Sequence, residues 1–223
     1  MAYTVGKALT YAKKFIKDQP IDGTDVGVQT LDLASKFFWM YAPWRWTIGN
    51  MPAVQITGNA VDYTVTKPAD FLYLQQAWLP EGDKFTPLDI VPMLPTDPKQ
   101  TGKPSKVMFV QGATDKYRLF PQPPAGGDKW LLAIYKIKHT EITATSDAPV
   151  FPEEWFPVYQ EIVLYYAYKF ADDQRAGTST IMANGLTQHS GQWGKVISML
   201  EAMKGREDLL FTWPGSMQSK EQR

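Results

Sequence analysis

Histidine is the side chain that most often activates a nucleophile, and the sequence contains two, His139 and His189, with no cysteine. A serine or threonine nucleophile needs such a base, held in place by a third group. His139 stands beside Thr140 and Glu141 at the end of a predicted strand, where we expect a solvated side chain. His139 and Glu141 match the first half of a zinc-deaminase motif, but the cysteines of its second half are absent. We therefore predict no catalytic residue and no metal site.

Residues 191–195 contain a glycine–lysine pair, but they lack the spacing of a phosphate-binding loop and the strand that precedes one. We interpret this segment as the start of a helix. The neighbouring carboxylates Glu153 and Glu154 are expected at a helix N-terminus, where the helix dipole stabilises negative charge. A glycosidase would need two carboxylates that face each other across a cleft, and the sequence leaves that alternative open. No cofactor site is predicted.

The bulk composition limits the classes of function. The chain has 223 residues, of which 44% are hydrophobic, which suits one large domain or two small ones. Its 23 basic and 23 acidic residues cancel. Proteins that grip DNA carry a basic surplus, so we expect no tight, general nucleic-acid binding. The richest apolar run, 37–44, is about a third of the roughly 20 residues that a membrane span needs, and no membrane association is predicted.

Apolar residues recur every three or four positions near the N-terminus, and this period predicts two helices. The first ends before Pro20, and the second begins near residue 24 or 25 and stops before Pro43. Residues 1–50 are therefore predicted to form a helical pair. Four tryptophans are expected in the core: Trp44, Trp46, Trp78 and Trp155.

The period changes to two after about residue 52, with turn-rich connections between short apolar stretches. In the last stretch Leu131, Ala133 and Tyr135 share one face, while Lys136 points the other way. We expect residues 51–145 to form an antiparallel β-sandwich or barrel. Residues 94–104 contain three prolines and are predicted to be an extended loop that projects from it.

Helices return after Pro152, and residues 150–204 are predicted to pack on the first helical pair in an α+β fold. The helix near 155–170 is apolar on more than one face, so a second face is expected to meet another subunit. Residues 205–223 lose the helical period and are predicted to form an extended tail. The residues expected in the subunit interface are Leu164, Tyr165 and Tyr168, and those expected as anchors in the tail are Leu209, Leu210, Phe211, Trp213 and Met217.

Five motifs follow one another in a recognisable order. They are the aromatic segment 37–46, a Pro-x-Asp-Phe-Leu element at 68–72, a Gly-x-Pro element at 102–104, an apolar-x-Pro-x-Pro element at 119–123 before a strand that contains tyrosine, and a Pro-x-x-aromatic helix at 152–170. This order resembles the head-to-tail adaptor, or connector, proteins of short-tailed bacteriophages. The resemblance extends over about residues 3–175.

The resemblance implies a structural virion protein at the head–tail junction, assembled in the host cytoplasm. It implies a ring, usually of twelve copies, seated beneath the portal protein, with C-terminal segments that reach the portal. The opposite rim would meet the tail nozzle or tail tube. Genomic DNA would pass through the lumen without sequence-specific binding. No reaction and no cofactor is implied.

Two other functions remain as alternatives. A stopper or tail-completion protein would be a different ring of the same connector. A carbohydrate-binding module or hydrolase built on the strand region would need a surface platform of aromatic side chains with a nearby pair of acids.

Overall fold

The computed structural model describes residues 3–16, 21, 24–81, 84–95, 100–125 and 129–210. The fold is α+β, as predicted. The described residues divide into two compact units. The first, the helical unit, combines residues 3–46 with 139–210, and the second, the sheet unit, contains residues 47–138.

The helical unit contains four helices: α1 (Gly6–Lys13), α2 (Thr24–Tyr41), α3 (Phe156–Phe170) and α4 (Gly191–Leu210). Helix α3 begins directly after the 3₁₀ turn Glu153–Trp155, and Pro157 lies in its first turn, where a missing N–H costs no hydrogen bond. It ends at Phe170, before Asp172 adopts a left-handed conformation with φ of 50°. Helix α4 continues to Leu210 and so includes the first six residues of the predicted extended tail, 205–210.

Helix α3 is at the centre of one hydrophobic cluster to which all four helices contribute. Its residues Tyr159, Ile162, Val163 and Ala167 have no exposed surface. The Tyr159 hydroxyl donates a hydrogen bond of 2.9 Å to the carbonyl of Leu31 in α2. A helix with buried residues on every side explains why its sequence is apolar nearly all round.

Eight strands form the sheet of the second unit. They are β1 (Ile48–Asn50), β2 (Val54–Ile56), β3 (Asp62–Thr64), β4 (Phe71–Glu81), β5 (Lys84–Ile90), β6 (Lys106–Val110), β7 (Lys116–Phe120) and β8 (Lys129–Ile137). Their order is β1-β8-β4-β5-β6-β7-β3, and β2 also pairs with β8. The strands form one curled sheet, a half-barrel, so of the predicted sandwich or barrel the structure shows only the barrel-like curvature.

We predicted an antiparallel sheet, but the sheet is mixed, because β5 and β6 run parallel. Residues 91–105 connect the end of β5 to the start of β6. The described end of this connection does not project freely. Gly102 donates to the carbonyl of Gln122, and Gln122 donates to that of Gln100, at 2.9 and 3.0 Å.

Side chains on the concave face of the sheet form the second core. The predicted face of β8 is confirmed, since Leu131, Ala133 and Tyr135 are buried there. Lys136 does point the other way, as predicted, yet it is 1% exposed and donates a 2.7 Å hydrogen bond to Thr47. This burial lowers the pKa of Lys136 to about 8.

Candidate interaction surfaces

His139, the first candidate base, is half-buried, and so the expectation of a solvated side chain is wrong. Its Nε2 lies 2.8 Å from the Ser35 hydroxyl, and its ring meets Trp39 edge-on. Burial lowers the pKa of His139, because a charged imidazole is costly away from water. A neutral histidine held between α2 residues serves packing.

His189, the second candidate base, lies in a hairpin that the sequence patterns did not predict. Strands β9 (Ser179–Ile181) and β10 (Thr187–His189) form this hairpin between α3 and α4. The Ser179 hydroxyl lies 2.8 Å from Nδ1 of His189 and accepts a 2.7 Å hydrogen bond from the Trp193 indole. Although serine and histidine meet here, no carboxylate among the described residues hydrogen-bonds to this histidine. The three side chains connect the hairpin to α4.

The hairpin ends in an apolar tip. We call residues 178–190 the arm, and every one of them is exposed. Three aliphatic side chains lie at its tip, with exposed fractions of 76% for Ile181, 47% for Met182 and 65% for Leu186. The tip is ordered by backbone hydrogen bonds, from Met182 to Leu186 at 2.8 Å and from Gly185 to Met182 at 2.9 Å.

The convex face of the sheet unit carries a second apolar surface. Trp78 is paired with Leu132 on one side and Pro87 on the other, and Pro80 is paired with Phe85. Residues that are directly paired, or two apart on a strand, share a face of a sheet. This face, which we call the platform, consists of Trp78, Pro80, Phe85, Pro87, Trp130 and Leu132.

Trp78 therefore lies outside the concave core, in contrast to the prediction for it. Trp44 and Trp155 are buried as predicted, and Trp46 packs half-buried against the same helical cluster. On the platform, Trp130 is 50% and Phe85 is 41% exposed. A depression of about 270 Å³ lies on this side of the sheet, and its lining includes Met51, Trp78, Phe85, Leu132 and Ile134.

A carboxylate stands at one end of the platform, at the junction of β4 and β5. Glu81 accepts hydrogen bonds from Lys103 at 2.5 Å, Lys129 at 2.9 Å and Thr86 at 3.0 Å. The hydrogen bond from Lys103, followed by those from Lys129 and Thr86, lowers the pKa of Glu81 to about 2. A carboxylate that stays ionised to this pH is unsuited to act as a general acid near neutrality.

The three residues predicted for a subunit interface make contacts within their own chain. Leu164 and Tyr168 are buried, and the Arg175 guanidinium lies 4.6 Å from the centre of the Tyr168 ring. Tyr165 is half-buried, with its ring centre 4.8 Å from that of Trp193 in α4. Neighbouring elements of the chain thus supply partners for the second face of α3. Contact of these residues with another subunit stays a prediction.

The predicted C-terminal anchors lie at the limit of the description or beyond it. Leu209 and Leu210 belong to the last turn of α4, and their side chains are not among those described. Phe211, Trp213 and Met217 lie outside the described residues. The last described contact of α4 is made by Arg206, whose guanidinium lies 5.2 Å from the centre of the Trp155 ring.

A buried carboxylate connects three helices. Glu161 of α3 accepts hydrogen bonds from Tyr11 of α1 at 2.9 Å and from Gln192 of α4 at 2.6 Å, and it pairs with Lys195 at 2.8 Å. Burial alone would raise the pKa of Glu161. Hydrogen bonds from Lys195, Gln192 and Tyr11 outweigh the burial and hold that pKa below its ordinary value.

Among the described residues, no group of three or more histidines and carboxylates is placed to hold a metal ion. None of the helices, within the part of the chain that is described, has the length and apolar character to cross a membrane.

One of two comparisons with known proteins places the chain in a family. The model of one family, described as SU10 adaptor protein, matches residues 3–208. No curated protein matches the chain. The matched range contains every strand and all four helices except the last two residues of α4.

Proposed function

The chain belongs to the SU10 adaptor protein family, a family of phage adaptors, and we propose that it joins the DNA-filled head of a bacteriophage to its tail. The membership confirms the resemblance that the order of five motifs indicated. The observation that carries the proposal is the extent of the match, which runs through both units and almost to the end of α4.

In this function the protein is a structural component of the virion and forms a ring, of twelve copies, beneath the portal. One rim binds the portal protein, and the other binds the tail nozzle or tail tube. Genomic DNA moves through the lumen, and the balance of 23 basic and 23 acidic residues suits a channel that does not hold the DNA.

The portal contact is assigned to the end of the chain, with Leu209, Leu210, Phe211, Trp213 and Met217 as apolar anchors. Helix α4 sets where a truncation should be made. Met203 is buried in the helical cluster and Arg206 lies over Trp155, so a cut at residue 205 would remove a contact of the folded unit. A cut after Leu210 leaves α4 at its full length.

The test compares the full chain with a chain that lacks residues 211–223. Each is mixed with purified portal rings and examined by electron microscopy and mass photometry. We expect the full chain to add a ring of density to the portal and the truncated chain to remain unbound, with the same thermal unfolding for both. A portal that binds neither chain would refute the adaptor function, and equal binding of both would refute the assignment of the anchors.

The platform is the one observation that favours the alternative of a carbohydrate-binding module, because aromatic side chains on a rigid sheet can stack on sugar rings. A hydrolase additionally needs an acid–base pair. Glu81, at the end of the platform, is ionised and bound by two lysines. Discrete glycan binding by the monomer, with no binding to portal rings, would favour this alternative.

A further inference from the structure

The chain contains three asparagines, and Asn184 is the one that a glycine follows. Asn184 and Gly185 lie in the turn of the arm, between β9 and β10. The side-chain carbonyl carbon of an asparagine lies within reach of the next backbone nitrogen, and a bond between the two closes a five-membered ring. Glycine has no Cβ and the freest backbone, so it hinders this ring closure least. The turn of the arm is therefore a place where the backbone itself can react.

The reaction is a deamidation in two steps, with water as its co-reactant. The Gly185 nitrogen gives up its proton and attacks Cγ of Asn184. The N–Cγ bond forms, the Cγ–Nδ2 bond breaks, and ammonia leaves with that proton. Water then opens the cyclic imide, and cleavage of the new N–Cγ bond gives aspartate, while cleavage of the original peptide bond gives isoaspartate. In sum one water is consumed, one ammonia is released, and no atom is oxidised or reduced.

The surroundings of the turn leave room for the ring and for water. Asn184 is exposed, and a Cβ built on Gly185 would meet no atom of the described residues within 4 Å. The other two asparagines are placed less favourably. Asn50 lies in β1, where pairing with β8 fixes the backbone, and Asn59 is followed by Ala60, whose Cβ crowds the nitrogen.

Two hydrogen bonds restrain the reaction while the turn is closed. The Gly185 N–H donates to the carbonyl of Met182 at 2.9 Å, so the attacking nitrogen is occupied. The Leu186 N–H donates to Oδ1 of Asn184 at 3.1 Å and holds the amide that must rotate. Ring closure therefore requires the turn to open. Such opening is a small local event, because every residue of 178–190 is exposed and both strands are only three residues long.

We propose that Asn184 is a site of spontaneous deamidation, and that opening of the turn in the arm sets the rate of this modification. The reactive groups belong to two neighbouring residues, and the co-reactant is the solvent. The modification therefore takes place in the single chain and does not depend on the adaptor function.

The product changes the surface of the arm. Residues 178–190 contain no charged side chain, whereas aspartate and isoaspartate are both ionised near neutral pH. The new charge lies two residues from Met182 and two from Leu186, which are 47% and 65% exposed. Because the centres of protein interfaces are depleted of carboxylates, the converted arm is less suited to an apolar contact than the original.

Ageing of the full chain in solution tests the site. Samples are kept at mildly alkaline pH, which favours loss of the glycine N–H proton, and are digested at acidic pH before the peptides are weighed. Fragment masses locate each conversion of amide to acid at Asn184, Asn59 or Asn50. We expect conversion to be about tenfold faster at Asn184 than at Asn59, because glycine leaves the nitrogen unhindered. An equal or slower rate at Asn184 would overturn the site.

The same measurement in concentrated urea tests the control by the turn. Both hydrogen bonds of the turn are absent in the unfolded chain, so conversion at Asn184 should be about tenfold faster there than in the folded chain. Equal rates in the two states would overturn the role assigned to the turn.

Asn184→Gln is the matched control, because its longer side chain keeps the amide but would have to close a six-membered ring. The aged parent chain should accumulate an acidic species that co-elutes with Asn184→Asp in ion-exchange chromatography, and Asn184→Gln should not. Formation of this species by Asn184→Gln at the rate of the parent chain would place the reaction elsewhere and overturn the proposal.

Discussion

Replacing Glu161 with glutamine tests whether one buried carboxylate holds three helices together. The carboxylate of Glu161 is bound by the Tyr11 hydroxyl at 2.9 Å, the Gln192 amide at 2.6 Å and the Lys195 ammonium at 2.8 Å. In the variant the amide oxygen can still accept hydrogen bonds, but the second carboxylate oxygen is replaced by an NH₂ group. The new amide group, however, is a donor placed among donors, and so at least one partner loses its acceptor.

The magnitude follows from the exposure of each partner. A hydrogen bond to a charged group contributes about 1.5–3 kcal/mol to stability. This range applies to the hydrogen bonds that Tyr11 and Gln192 donate to Glu161. The Lys195 side chain is 53% exposed, so its pairing with Glu161 is screened and contributes only about 0–1 kcal/mol. Because the amide oxygen keeps part of these contacts, we expect Glu161→Gln to lower the free energy of unfolding by about 2–4 kcal/mol at pH 7.

The pH dependence gives a sharper test than the loss itself. The pKa of Glu161 in the folded chain lies below the ordinary value of 4.5, so the ionised form is favoured by folding. The stabilisation is therefore complete above pH 4.5 and disappears as the pH falls through the lowered folded pKa. The difference between the parent chain and Glu161→Gln should be constant from pH 5 to 8 and should shrink below about pH 4.5.

Urea unfolding followed by tryptophan fluorescence and by circular dichroism measures this difference at each pH. Two matched variants separate the partners. Lys195→Gln should cost less than about 1 kcal/mol, and Tyr11→Phe should cost about 1.5–3 kcal/mol. A loss below about 1 kcal/mol for Glu161→Gln, or a loss that is as large at pH 3 as at pH 7, would refute the role assigned to the carboxylate.

Three further predictions concern stability. Gly177→Ala should disrupt the base of the arm, because the new Cβ would lie 1.9 Å from the Ser190 carbonyl oxygen. Gly185 has a similar φ but open space around it, so Gly185→Ala should cost only about 1–2 kcal/mol of stability. Proteolysis within 178–190 and thermal unfolding measure both effects. Tyr117→Phe should stabilise the sheet unit by about 1 kcal/mol, because the buried Tyr117 hydroxyl has no hydrogen-bond partner among the described residues. Tyr63→Phe should destabilise the unit by a similar amount, because the Tyr63 hydroxyl donates a hydrogen bond to the carbonyl of Ala60. The two variants must shift the urea midpoint in opposite directions. Asp62→Asn should cost about 1–2 kcal/mol of stability, since it weakens the bidentate pair with Arg118 that joins β3 to β7. The rate of amide hydrogen exchange in residues 62–64 should rise. An unchanged rate would contradict the role of this pair in holding β3.

The sequence predicts elements well wherever one period dominates. The apolar stripe near 155–170 corresponds to α3, which spans Phe156–Phe170, and the alternation near 130–138 corresponds to β8, which spans Lys129–Ile137. In both elements the side chains pack against the rest of their own unit, so the local pattern and the tertiary environment favour the same structure. The order of the five motifs along the chain also indicated the correct family.

Other features depend on contacts between residues that are far apart in the sequence, and a local pattern does not predict such contacts. The alternation in β8 predicts that Lys136 lies on the face opposite Tyr135, but it does not tell that this lysine is buried against Thr47. The parallel pairing of β5 with β6 depends on the path of residues 91–105. The size of Trp78 predicts a place in the core, but its pairing with Leu132 places it on the convex face.

The sequence of the arm does contain a signal for a hairpin. Asn184–Gly185 is a strong hairpin signal, since both residues tolerate the backbone of a tight turn. The flanking strands are short and polar, and only Ile181, Met182 and Leu186 are large and apolar, so the alternation that predicts a strand is weak there. A polar hairpin has no core of its own to bury, so apolar residues placed at its tip contribute nothing to the folding of an isolated chain. Exposed apolar side chains of this kind, when they cluster, are typical of surfaces that bind another molecule, and this is the physical reason to test the arm for such a contact.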